Sequence, residues 1–196
     1  MEAMARLLGE FLTLFVSILG LCQWSWNHLG LGLWYSTCST AMIARFLSLT
    51  FVKARTATEL NYMYLWYIEQ LECWSLWALG TLGPLCLALQ FSSTWWVRLL
   101  LVWMGLFLLG TKLNDEFHEE LWISEEHFFA SAHLACMTML VVCTPDNGQV
   151  ASSLGTAFLT LGTLMLARPD SQLGPWRCQE LAFFGLAMAN TSFLVT

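Results

Sequence analysis

The stretch KLNDEFHEELWISEEHFF, Lys112 to Phe129, carries six of the chain's fourteen acidic residues and two of its four histidines. Apolar runs flank it on both sides, WWVRLLLVWMGLFLLGT from Trp95 and FFASAHLACMTMLVVC from Phe128. It is either a metal or catalytic site lodged in an apolar protein, or the wet end of a hairpin between two membrane helices. The choice decides how the chain folds.

The capping reading is the simpler one. Asn114 can cap a short helix over Asp115 to Ile123, with Asp115 and Glu116 in its first turn. Ser124 can cap the next, with Glu125 and Glu126 placed likewise. Carboxylates there oppose the positive end of the helix dipole. The metal reading needs an unbroken helix, which would set Asp115, Glu119, Trp122, Glu126 and His133 on one face, with His118 at its edge. Carboxylate and imidazole together can hold zinc or iron, or exchange protons near neutral pH. Yet His127 and His133 stand about 240° apart around a helix and cannot share an ion by themselves. No HxxxH, HExxH or paired ExxH spacing occurs. A docking patch for a basic partner is a third use of the same acids.

Composition points the same way. Of 196 residues, 57% are hydrophobic and only 11% charged, and the mean hydropathy is +0.60. A soluble domain carries roughly 25% charged residues, so the solvent for most of this chain is lipid. Eight Lys and Arg without a basic cluster exclude nucleic acid as a partner class. The seven cysteines lack a CxxC pair and lie mostly in apolar runs, where a thiol behaves as a small hydrophobe. No cofactor motif is present.

A membrane helix needs roughly 20 residues. Seven runs qualify: 7–23, 29–52, 73–91, 95–111, 128–143, 150–167 and 180–195. The segment ELNYMYLWYIEQLE, Glu59 to Glu72, is too short to cross alone and reads as an interfacial lead-in to the third span. Glu10 interrupts the first run and no A-x-A-like site follows, so a retained helix is preferred to a signal peptide. With seven spans, Arg6, Lys53, Arg55, Lys112, Arg168 and Arg177 fall on one side and only Arg98 on the other. That bias places the N-terminus in the cytoplasm and the C-terminus in a lumen or outside the cell.

Within the spans, Arg45 lies at a depth shared by Glu10, Glu72 and Glu180, and His133 about a turn and a half inside the fifth. Ionisable groups there cost energy unless partnered. Two outcomes are open: Arg45 pairs with one of these acids, or it snorkels to the interface while His133 bonds a nearby carbonyl. Snorkelling is the expectation. On the sixth span Ser152, Thr156, Thr160, Thr163 and Ala167 share a face; on the seventh Ala182, Gly185, Ala189 and Ser192 do. Such faces let backbones approach, and packing of these two helices within the chain is expected. A contact with a second copy or another membrane protein, or a lipid groove, is the alternative. The sequon Asn190-Thr191-Ser192 sits at a span end and should be unmodified.

The expected protein is therefore an all-α, polytopic bundle of about seven transmembrane helices, a single multi-pass domain of an endomembrane or the plasma membrane. Its leading function is non-enzymatic interaction or assembly within the bilayer. The first alternative is a transporter or channel subunit using an Arg45/His133 layer. The second is a metal-dependent membrane hydrolase or oxidase using residues 115–133.

Overall fold

The computed structural model describes residues 2–23, 28–54, 62–113, 125–144, 150–166, 172–173 and 176–195. They form eight helices: α1 Glu2–Gln23, α2 Leu29–Ala54, α3 Tyr62–Gly80, α4 Leu82–Phe91, α5 Trp95–Leu113, α6 Glu125–Cys143, α7 Val150–Leu166 and α8 Cys178–Phe193. Two two-residue strands, β1 Gln172–Leu173 and β2 Trp176–Arg177, pair antiparallel ahead of α8. Among the described residues the protein is all-α apart from this ribbon.

Among the described residues, two stretches are long and apolar enough to cross a membrane: Trp66–Phe91, which joins α3 to α4, and Trp95–Leu113 in α5. At about 1.5 Å per residue α5 is about 28 Å long, close to the thickness of a hydrocarbon core. Four further helical stretches, Leu7–Gln23, His127–Cys143, Val150–Met165 and Leu181–Phe193, are apolar but shorter.

The helix ends correct two sequence expectations. Helix α3 begins at Tyr62, so the aromatic segment before Cys73 is not a separate lead-in but the first half of the helix. The run Cys73–Phe91 is interrupted by a one-residue turn at Thr81, bridged by the bonds Thr81 N–H to Trp77 O and Leu85 N–H to Thr81 O. Pro84 supplies the reason. It has no amide hydrogen for the carbonyl four residues back, that of Gly80, and its ring crowds that carbonyl.

Neighbouring helices follow a simple order. Helix α2 packs on α1, α3 and α4; α4 also meets α3, α5 and α6; and α8 lies between α1 and α7. The first and last helices are thus neighbours. One apolar core runs through them, with Trp34 and Phe193 fully buried edge to face at 6.3 Å and Phe91 against Phe193 at 5.8 Å. The outward surface is apolar too, with Phe11, Phe46, Trp103, Leu134 and Leu164 all exposed. Monomeric soluble proteins rarely show so much exposed apolar area.

The small-residue faces of α7 and α8 meet each other inside the chain. A Cβ on Gly185 would come within 3.0 Å of the Gly162 backbone, so the two helices cross in near backbone contact there. Ser152, Thr156, Ala182 and Ala189 are buried in the same chain. Much of that face is therefore used within the chain.

Candidate functional site

Three helices bring the deep ionisable residues together. Glu10 lies about 12 Å from the start of α1, Glu72 about 15 Å from the start of α3, and Arg45 about 13 Å from the end of α2. Because α2 runs opposite to its two neighbours, these depths coincide. Arg45 Nε donates to Glu10 Oε1 at 2.7 Å, and its Nη1 to Glu72 Oε1 at 3.4 Å. The side chains are nearly sealed: 11% exposed for Arg45, 9% for Glu10 and 21% for Glu72. The guanidinium also lies 5.2 Å from the centre of the Phe183 ring on α8, within cation–π range.

This overturns the snorkelling expectation. Helix α2 continues to Ala54, so Arg45 is about two and a half turns from the helix end, and two carboxylates at its own level reach it at 2.7 and 3.4 Å. Such a cluster is weak evidence for net stability, since desolvation offsets most of the attraction. Its clearer effect is on register, because α1, α2 and α3 must slide to one depth for the charges to meet.

His133 takes the other course weighed for it, a bond to a nearby carbonyl. Its Nδ1 faces the carbonyl oxygen of Gly80, the group that Pro84 leaves without its helical donor. A carbonyl only accepts, so Nδ1 carries the hydrogen. The ring stacks on Phe129. His133 is therefore not in the Arg45 cluster, and the combined Arg45/His133 layer is not assembled as one site.

A second polar group, absent from the sequence reading, lies farther along the same helices. The Asn190 amide of α8 is fully buried and donates from Nδ2 to Ser17 Oγ at 2.9 Å. Its oxygen accepts from Trp34 Nε1 at 2.7 Å, and its backbone carbonyl accepts from the Tyr35 hydroxyl at 3.1 Å. Ser17 in turn donates to the carbonyl of Thr13, and Thr13 Oγ1 is 2.9 Å from the carbonyls of both Gly9 and Phe183. Glu10, Thr13 and Ser17 share one face of α1, three and four residues apart. That spacing was the available signal. Asn190 was masked by its place in a sequon, and burial now explains why a glycan would not fit.

Asp115, His118 and Glu119 lie outside the described residues, as do the side chains of Glu126 and Glu180. Among the described residues no group of three or more His, Cys, Asp or Glu is placed to hold a metal. No protein-family model, no curated protein and no solved structure matches the chain.

Proposed function

We propose that the chain is a multi-pass membrane protein of about seven spans, with its N-terminus in the cytoplasm and its C-terminus on the opposite side, that binds or helps assemble a partner within the bilayer. The observation that carries the reading is the contrast between inside and outside. Inside, Arg45, Asn190, His133 and Thr13 are committed to groups of the same chain. Outside, α5 packs principally on α4, and most of its apolar length is exposed. A helix apolar on every side is at home in lipid or against another membrane helix. The charge asymmetry of six cations against one supports the orientation.

Two measurements test this. Tags at the two termini, read in intact and permeabilised cells, should report opposite sides; the same side for both would end the seven-span reading. A photo-crosslinking residue at Leu106, exposed on α5, should trap a discrete protein adduct in native membranes. Lipid adducts alone would remove the assembly role.

A second reading, a transporter or channel subunit, draws on one observation. Glu10 lines a groove of about 370 Å³ between α1 and α2, with Leu7, Phe11, Met42 and Phe46 around it. Cation flux in liposomes that Glu10→Gln abolishes would put this reading first.

A further inference from the structure

Arg98 sits on α5 in a setting unlike that of any charge discussed above. It is the fourth residue of the helix, about 5 Å from its start, and exposed. Its Nε donates to the carbonyl of Ser92 at 2.8 Å, which ties the guanidinium to the turn between α4 and α5. Among the described residues no carboxylate pairs with it. The tether uses one of five N–H donors and leaves the two-pronged end of the group to find acceptors elsewhere.

Around it opens a groove of about 540 Å³ between α5 and the adjoining ends of α2 and α4. Trp95, Leu99, Val102 and Trp103 form the α5 wall, recurring at the helical period. The opposite wall is Leu29, Gly30, Leu89 and Gln90. It is braced: Gly30 N–H donates to Gln90 Oε1 at 3.2 Å, and Gln90 Nε2 donates to His28 Nδ1 at 3.4 Å. A Cβ on Gly30 would collide with the carbonyl of Cys86, so glycine lets α2 close the groove here. The mouth is marked by Trp95 stacked on Trp96 at 3.6 Å, both exposed at the helix start where indoles favour the headgroup layer.

We propose that this groove holds one phospholipid, its phosphate on the free edge of the Arg98 guanidinium and an acyl chain along Val102 and Trp103. The inference rests on the membrane reading above. Charge decides the headgroup, since a planar guanidinium matches phosphate oxygens in pairs. The lining decides the rest: below the level of Arg98 the α5 wall is wholly apolar, so a soluble phosphate would fill only the mouth.

The test is native mass spectrometry of the detergent-purified full chain, titrated with dioleoyl phosphatidylglycerol, with dioleoylglycerol and with inorganic phosphate. Wild type should retain one phosphatidylglycerol at least about tenfold more tightly than dioleoylglycerol, and inorganic phosphate should not compete at millimolar level. Arg98→Gln should lose that preference and Arg98→Lys keep part of it. Trp103→Ala, which leaves the guanidinium and its Ser92 tether alone, should weaken retention of both lipids. Equal binding of the two lipids by wild type, or unchanged binding by Arg98→Gln, would overturn the site. Effective competition by inorganic phosphate would reassign the groove to a soluble ligand. Release of the wild type from membranes by alkaline carbonate would instead overturn the membrane reading beneath it, so the two failures are told apart.

Discussion

His133 on α6 donates to the carbonyl of Gly80 on α3, and that carbonyl is free because Pro84 cannot reach back to it. A break in one helix is thereby closed by a side chain from another. The pairing predicts a coupling. His133→Phe leaves the carbonyl without a donor in apolar surroundings, at a cost of about 1–3 kcal/mol. In a Pro84→Ala background residue 84 has its own amide to offer, so the same His133 change should cost less by about 1 kcal/mol. Thermal unfolding of the four proteins in detergent measures the cycle, and strict additivity would show that the two residues act separately.

Arg45→Leu should be severe. It takes the cation away from the Glu10 carboxylate in a nearly sealed position, and breaking a buried pair by removing one partner costs about 3–5 kcal/mol. Adding Glu10→Gln should recover at least about 1 kcal/mol, because the buried negative charge that Arg45 faced is then gone. A neutral Arg45→Leu variant would restore the snorkelling picture.

Asn190→Leu should cost about 1–3 kcal/mol for each buried group it leaves unpaired, with the Trp34 indole the first of these. Intrinsic tryptophan fluorescence is a crowded readout with eleven indoles, so melting temperature is the better measurement. Peptide mapping of the protein from a glycosylating host should find Asn190 unmodified; an occupied sequon would mean that α8 is not packed as described.

Two glycines should respond oppositely to a side chain. Gly185→Val drives a branched group into the Gly162 backbone and the Phe158 carbonyl, neither of which can turn away. Overpacking of this kind costs about 1–3 kcal/mol. Gly110 on α5 has open space where its Cβ would stand, so Gly110→Ala should be neutral or gain up to about 1 kcal/mol in helix propensity. Similar losses at both would mean that α5 is packed more closely than its surface suggests.

Much of the helical layout is legible in the sequence, because each apolar run is bounded by a polar break. The depth of Arg45, Glu10 and Glu72 is legible as well, since it follows from counting residues from those breaks. Whether the three meet is not, for that depends on which helices are neighbours, and no local pattern places α1 beside α2 and α8 at once. Pro84 is visible in the sequence, but its consequence depends on a histidine 53 residues beyond Gly80. Asn190 shows the same limit more sharply. Its neighbours in sequence suggest a surface sequon, whereas its neighbours in space, Ser17 and Trp34, come from the other end of the chain.

The contact between α1 and α8 also bears on how the protein is made. On the proposed membrane reading, ribosomes deliver α8 after α1 to α7, so Thr13, Ser17 and Trp34 would enter the bilayer before the Phe183 carbonyl and the Asn190 amide exist to receive them. Until then α1 and α2 carry an unfilled polar seam, which membrane quality control can read as an incomplete product. Nonsense products ending before residue 178 should therefore be short-lived in pulse–chase experiments, however well their remaining helices insert.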